Sequence, residues 1–142
     1  MPIVETTAET ITPLRFAVLR PHRPIEESRY PTDQAPGTIH LAAYDGETLV
    51  GCTSAHLEPA PGREGQAYRL RGMAVQEGYR GKGIGAQLLE AMEARIKATG
   101  TPLVWCNGRT QAGAFYRRHG WQPEGAEFDI VGVPHYVFSK VL

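Results

Sequence analysis

The chain has 142 residues, the size of one ordinary domain, and its 42% hydrophobic and 21% charged residues are typical of a soluble globular protein rather than a disordered one. Fifteen basic residues balance fifteen acidic ones without an evident basic patch, so we expect no nucleic-acid partner. No apolar run approaches the ~20 residues that span a bilayer, and MPIVETTAET lacks the features of a secretion signal, so we expect a cytoplasmic protein without a membrane partner.

The first third of the chain predicts a strand, a helix and an irregular surface segment. The strand covers about residues 2–6. Thr12 and Pro13 suit the N-cap and first residue of a helix that runs through Arg20, and PHRP then ends it. Arg15 on this helix either faces a cleft or, in the interpretation that we favour, lies exposed. The proline-rich residues 21–37 follow.

The middle of the chain predicts three strands. Two alternating strands flank Asp45-Gly46, a pair that favours a two-residue hairpin turn. After the loop EPAPGREG, the segment YRLRGMAV predicts the third strand. Gly72 within it indicates a β-bulge or a close backbone approach.

A glycine-rich loop comes next, in YRGKGIGAQLLEAM. Gly81, Gly83 and Gly85 permit positive φ and a close approach to the backbone, and Arg80 and Lys82 add positive charge. A helix to about Thr99 follows, since its apolar residues recur at helical spacing: Ile84, Leu88, Met92 and Ile96. Free amides and a positive macrodipole at a helix N-terminus suit phosphate.

The last third predicts a strand, a helix and a hairpin. PLVWCNGR is typical of a strand buried on both faces, and TQAGAFYRRHG has helical spacing that ends at glycine. EFDIV and HYVFSKVL predict a hairpin around Gly132 and Pro134. The order β-α-β-β-β-α-β-α-β-β indicates a single α/β domain, residues 1–142, with a mixed sheet. Cys52 and Cys106 have no metal-ligand spacing, and we expect both to be reduced, buried and unreactive.

Two other glycine-rich motifs fit the sequence poorly. Gly81, Gly83 and Ala86 satisfy the dinucleotide-binding pattern G-x-G-x-x-A, but QEGYR separates them from the strand and TPLVWCN carries no acid for the ribose. A P-loop needs Ser or Thr after Gly-Lys, whereas Gly83 follows Lys82. The sequence therefore disfavours nicotinamide and nucleotide-hydrolysis chemistry.

Two motifs resemble the GNAT family of N-acetyltransferases. The family signature is Arg or Gln, two residues, Gly, one residue, then Gly or Ala, and residues 80–85 read RGKGIG after a strand and before a helix. FYRRHGW at residues 115–121 is similar to a second family segment, FY-x-x-x-G-F, with Trp121 in place of Phe. The resemblance covers about residues 40–142. It implies a strongly twisted mixed sheet flanked by helices, with two central strands splayed apart.

The resemblance also implies acetyl-CoA as co-substrate and direct acetyl transfer to a primary amine in a ternary complex. The acceptor would be a small amine or peptide, and a homodimer stays open. Pantetheine would lie between the splayed strands, and pyrophosphate on the loop. The residues implied to bind the coenzyme are Met73, Ala74, Val75, Arg80, Gly81, Lys82, Gly83, Ile84, Gly85, Asn107 and Tyr116.

Acetyl transfer needs a donor to the carbonyl oxygen, an acid for the leaving sulfur and a base for the amine. The backbone amide of Met73 is the candidate oxygen donor. The resemblance places Tyr116 beside the sulfur as the acid, although an aromatic packing role is the alternative. His135 is the candidate base because an imidazole can accept a proton near neutral pH. Glu127 and Glu58, acting through water, are rival bases.

The end of the central strand supplies candidate substrate ligands. Asn107 can bond pantetheine or the acceptor, and Arg109 can pair with an acceptor carboxylate or only cap the strand. His135 is a third candidate contact for the acceptor. A non-catalytic protein that binds coenzyme A as a sensor or interaction module remains the alternative function.

Overall fold

The computed structural model describes residues 1–142 and contains seven strands and three α-helices in the predicted order. The strands are β1 (Ile3–Glu5), β2 (Ile39–Asp45), β3 (Thr48–Leu57), β4 (Tyr68–Val75), β5 (Leu103–Arg109), β6 (Gln122–Ile130) and β7 (Val133–Val141). The helices are α1 (Ala8–Leu19), α2 (Ile84–Ala98) and α3 (Gly113–Arg118). Short 3₁₀ turns cover Ile25–Ser28 and Thr110–Ala112. None of the helices is long and apolar enough to cross a membrane.

All seven strands form one mixed sheet in the order β1-β2-β3-β4-β5-β7-β6. β4 and β5 are its parallel pair, and they are bonded only near their starts, where Tyr68 pairs with Val104 and Arg69 with Trp105. Beyond that point the strands separate, which confirms the predicted α/β fold with splayed central strands. The facing edges of β4 and β5 therefore carry backbone donors and acceptors without strand partners.

The bulge predicted at Gly72 is confirmed. One residue of β3 lies opposite two residues of β4, Gly72 and Met73. Gly72 has φ +65°, and a Cβ there would come within 3.1 Å of the side chains of Arg15 and Tyr30. Glycine is required here by both the backbone conformation and the space.

The two longer helices cover opposite faces of the sheet. Successive residues of β2 alternate between them, since Leu41 belongs to the core under α2 and Ala42 to the smaller core under α1. α2 packs with the predicted apolar stripe, and Leu89 joins it: Ile84, Leu88, Leu89, Met92 and Ile96 are all buried. The sheet thereby holds the N-terminus of α2 next to the diverging ends of β4 and β5.

The predicted start of the first helix at Thr12 and Pro13 is wrong. α1 begins at Ala8, and the Thr7 side chain caps it. Thr12 is buried and its hydroxyl donates to the Ala8 carbonyl at 2.7 Å, while Pro13 lies inside the helix on its exposed side. The earlier start adds a turn that buries Ile11 completely, a gain that outweighs the hydrogen bond lost at proline.

The C-terminal hairpin is longer than predicted. β6 begins at Gln122, earlier than predicted. The sequence pattern did not show this start, because an irregularity in the pairing between Glu124 and Phe128 interrupts the alternation that marks a strand. Its two-residue turn is Val131-Gly132, and Pro134 lies within β7. α3 is shorter than predicted, because a 3₁₀ turn precedes Gly113.

The prediction for the cysteines is confirmed. Cys52 and Cys106 are both free and buried. Burial raises the pKa of each thiol to about 12, which removes the thiolate at neutral pH and with it the reactivity of the group.

Candidate functional site

A continuous cleft follows the gap between β4 and β5. Three adjoining cavities of about 400, 420 and 300 Å³ make it up. The first two share Val75 and Arg80, and the second and third share Met73 and Arg109. The cleft runs from the N-terminus of α2 to His135 at the start of β7.

The N-terminus of α2 offers free amide donors at one end of this cleft. Gly81 and Gly83 have φ +78° and +80°, and no atom lies within 4 Å of a Cβ built on either. Gly83 is the N-cap, no side chain caps the helix, and its first turn holds no acid. The amides of residues 80–83 donate none of the loop hydrogen bonds. With the positive end of the helix dipole, these donors fit a phosphate or pyrophosphate group.

The charged residues around this end differ in part from those expected. Arg80 lines the cleft, whereas the Lys82 ammonium lies over the Tyr79 ring, 5.3 Å from its centroid, and does not line it. Arg118 and His119, at the end of α3, line the same cavity. Sequence reasoning missed both, although they follow Tyr116 within the FYRRHG motif and are basic.

Tyr116 lines the cavity at the end of the cleft away from α2, and its ring packs on other aromatic rings. Its ring stacks on Phe138 with centroids 4.7 Å apart. A Cβ on Gly108 would come within 2.7 Å of the Tyr116 ring, so glycine at this position of β5 makes room for the stack. Burial raises the pKa of the Tyr116 hydroxyl, and the neighbouring Cys106 thiol raises it further, so the hydroxyl stays protonated at neutral pH.

Asn107, Arg109 and His135 come together at the other end of the cleft, with Met73 and Tyr116. Asn107 and Arg109 are on β5, and Arg109 pairs with His135 across the β5–β7 ladder. The Nδ1–H of His135 donates to the Val133 carbonyl at 2.7 Å. Because a carbonyl only accepts, this bond fixes the proton on Nδ1 and leaves the Nε2 lone pair available in the neutral ring.

The two carboxylates considered as bases are engaged elsewhere. Glu58 accepts a hydrogen bond from His56 Nε2 at 2.8 Å. Burial opposes its charge, but the His56 bond and the Arg69 charge outweigh burial and lower the pKa of Glu58, which makes it a weaker base. Glu127 accepts a bond from the Thr110 hydroxyl at 2.8 Å and is exposed. Neither carboxylate lines the cleft.

Arg15 is buried, which contradicts the favoured interpretation of this residue as exposed. It is 1% exposed and forms two hydrogen bonds with Asp33, at 2.8 and 3.0 Å. Burial opposes ionisation of Asp33, but the bond from Arg15 prevails and lowers its pKa. Ser54 accepts from Arg15 at 2.7 Å and also contacts His40 at 2.6 Å, so His40 is part of this buried network.

This network fixes the segment between α1 and β2 beside the bulge at Gly72. The backbone amide of Tyr30 donates to Asp33 at 2.9 Å. The Tyr30 ring then packs with two guanidinium groups, its centroid 4.0 Å from Arg15 and 4.3 Å from Arg71. A segment that sequence reasoning treated as irregular surface thus packs next to the bulge at Gly72.

No group of three or more His, Cys, Asp and Glu residues lies close enough to hold a metal ion. The observed chemistry of the cleft is a set of amide donors at one end and polar side chains at the other.

Comparison with known proteins identifies the class to which this fold and cleft belong. The family model described as "Acetyltransferase (GNAT) family" matches residues 7–121. An uncharacterised N-acetyltransferase of Bacillus subtilis, YitI, is 39% identical over 141 residues, which cover 98% of this chain and 92% of that protein. The chain belongs to the acetyltransferase (GNAT) family.

Solved structures agree with that assignment at the level of the fold. A Lactobacillus plantarum protein, provisionally named an N-acetyltransferase, superposes with a TM-score of 0.80 at 22% identity, over 99% of this chain and 97% of that one. An aminoglycoside 6'-N-acetyltransferase complexed with coenzyme A superposes with a TM-score of 0.75 at 18% identity, over 99% and 97% of the two chains. Family membership and the relatives' names support acyl transfer as the general chemistry.

Proposed function

We propose that this protein transfers an acetyl group from acetyl-CoA to a primary amine while both substrates are bound. The observation that carries the proposal is the continuous cleft, which begins at the uncapped amides of α2 and ends beside Tyr116 and His135. Its two ends match a substrate with pyrophosphate at one end and a thioester at the other.

The donor end would hold the coenzyme through backbone groups and a few cations. The amides of residues 80–85 would bind the pyrophosphate, with Arg80 beside them and Lys82 adding positive charge from the solvent side. The unpaired edge of β4, at Met73–Val75, would bond the pantetheine arm, with Asn107 opposite. When bound, acetyl-CoA supplies an acetyl group activated as a thioester.

Three groups of this chain would then serve the transfer, in which a C–N bond forms and the C–S bond breaks. The Met73 amide donates to the carbonyl oxygen as charge develops there. His135 Nε2 accepts the proton released by the amine. Tyr116 donates a hydrogen bond to the leaving sulfur, and its raised pKa favours this role over complete transfer of its proton.

Aminoglycosides are not the acceptors that we propose for this chain. They carry several ammonium groups, which need carboxylate partners in a binding site. The cavity beside Tyr116 is lined by Arg71, Arg109 and His135 and by no carboxylate. We therefore do not extend the substrate of the aminoglycoside 6'-N-acetyltransferase to this protein.

The test combines binding with turnover. Acetyl-CoA at a hundredfold excess over its Kd should stabilise the fold by about 2.7 kcal/mol, seen as a higher Tm, whereas NADH should not. Incubation with a panel of primary amines should release free thiol, and mass spectrometry should find the acetylated amine. Stabilisation without release on any amine would support the alternative, a non-catalytic coenzyme-A-binding protein. Equal stabilisation by NADH, or none by acetyl-CoA, would refute the proposal.

A further inference from the structure

Arg71 is a cation of the cleft that lacks an anionic partner. It lies on β4 directly before Gly72, is half-buried, and lines the cavity that also holds Tyr116 and His135. It takes part in none of the ion pairs of the structure. Its guanidinium instead packs on the Tyr30 ring, 4.3 Å from the centroid.

Two nearby arginines, unlike Arg71, each form an ion pair with a carboxylate. Arg15 also packs on the Tyr30 ring, and it is neutralised by Asp33 at 2.8 Å. Arg69, two residues before Arg71 on the same strand, has Glu58 at 3.5 Å. The three arginines thus share two carboxylates, and the one facing the cavity is without a partner.

This arrangement costs free energy in the unliganded protein. Burial disfavours the Arg71 charge, and the neighbouring cations Arg69 and Arg15 oppose it further. Tyr30 and the more distant Glu58 carboxylate favour the charge but do not outweigh these effects, so the pKa of Arg71 is lowered. No Asp or Glu lines the cavity, while Arg109 adds a second positive charge at its edge. A half-buried guanidinium in such a place is relieved by an anion that enters from outside.

We propose that Arg71 binds a carboxylate of the acceptor, so that the acceptor is an amino acid or a similar small molecule carrying both an amine and a carboxylate. The inference rests on the acetyltransferase function proposed above and names its substrate class. The guanidinium lies 4.3 Å from the centroid of the Tyr30 ring and has no ion-pair partner within the chain, so its N–H groups can bind a carboxylate with two parallel bonds. A carboxylate here also offsets the repulsion that a bare ammonium group meets between Arg71 and Arg109.

The experiment compares acceptors that differ only in this charge. Each of a set of L-amino acids is assayed against its own α-amide, at saturating acetyl-CoA, with the wild-type protein and with Arg71→Gln. Removing the carboxylate charge lowers the pKa of the amine and makes more of it nucleophilic, so chemistry alone favours the amide. We expect the wild-type protein to prefer the acids. We expect Arg71→Gln to lose about 10- to 100-fold in kcat/KM on the acids, through KM, and to leave the amides unchanged.

Controls separate this role from a structural one and from coenzyme binding. Arg71→Lys keeps the positive charge but not the two parallel N–H donors of the guanidinium. It should therefore lose less kcat/KM on the acids than Arg71→Gln. Arg69→Gln removes the neighbouring arginine, which does not line the cleft, and should not alter the ratio of acid to amide. The Kd of coenzyme A should be the same in all variants. A higher Kd in Arg71→Gln would overturn the proposal by placing Arg71 at the donor site.

The proposal and the acetyltransferase function fail in different ways. Equal turnover of acids and amides by the wild-type protein, or an equal loss on both in Arg71→Gln, overturns the proposal while transfer stands. Absence of turnover with every amine removes the transfer function instead. In that case, calorimetric titration of the same acids and amides into the coenzyme-A-saturated protein tests the proposed carboxylate site on its own. The proposal requires that the wild-type protein binds an acid and that Arg71→Gln loses this binding. Binding of neither set, or of both sets equally, overturns the proposal.

Discussion

Replacing Tyr116 with Phe tests the role proposed for its hydroxyl. The ring stays stacked on Phe138, 4.7 Å away, so nearly all of the buried apolar area is kept. The Tyr116 hydroxyl interacts with the Cys106 thiol, so removing the hydroxyl should cost at most one net hydrogen bond, about 0.5–1.5 kcal/mol of stability. Coenzyme affinity should be nearly unchanged.

The loss should appear in turnover. General acid–base groups typically contribute about 10²–10⁴ in rate, and a donor that only hydrogen-bonds to a good leaving group belongs at the lower end, about 10². Because burial raises the pKa of Tyr116, we expect no alkaline fall in kcat from this phenol up to about pH 10, its reference value, in contrast to a phenol with an ordinary pKa.

The assay is kcat against pH for both proteins, with melting curves and a calorimetric Kd for coenzyme A. Full turnover in the Phe variant would show that another group or solvent serves the sulfur. A slow variant with a much lower Tm would show that the hydroxyl is needed for packing. Either result would refute the reasoning.

Three further predictions concern the loop and the core. Gly83→Val places a β-branched residue at φ +80° in the phosphate site and should abolish measurable coenzyme A binding in calorimetry, whereas Gly62→Val, at φ +72° in a loop outside the cleft, should carry similar strain and bind normally. Asp33→Ala leaves the buried Arg15 without its partner and should lower the free energy of unfolding by about 3–5 kcal/mol in urea melts, whereas Glu27→Ala, which breaks the exposed pair of Glu27 with Arg23, should have little effect; a similar loss in both would contradict the buried-pair argument. The Cys52 thiol has a pKa of about 12 in the folded protein against an ordinary value of 9.0. Its contribution to the free energy of unfolding is therefore complete below about pH 9 and is lost as the pH rises toward 12, by up to about 4 kcal/mol. Cys52→Ala should flatten this alkaline decline in Tm, and an unchanged slope would exclude the thiol as its cause.

The sequence by itself determined the order of the elements, the glycine loop at the start of α2 and the bulge at Gly72. These features depend on local physics, because apolar spacing, positive φ and free helix amides are set by neighbouring residues. The same local reasoning placed the start of α1 at Thr12, which is wrong, because the burial of Ile11 against the sheet decided where the helix begins.

Only the tertiary structure decided which side chains share the cleft and which charges have partners. Arg71 and Arg15 are 56 positions apart, yet the sheet and the segment after α1 bring both of them to the ring of Tyr30. Arg15 obtains Asp33 there, and Arg71 obtains no carboxylate. No pattern along the chain carries this information, because pairing and burial depend on contacts between residues that are distant in sequence, and those contacts exist only after the strands have assembled.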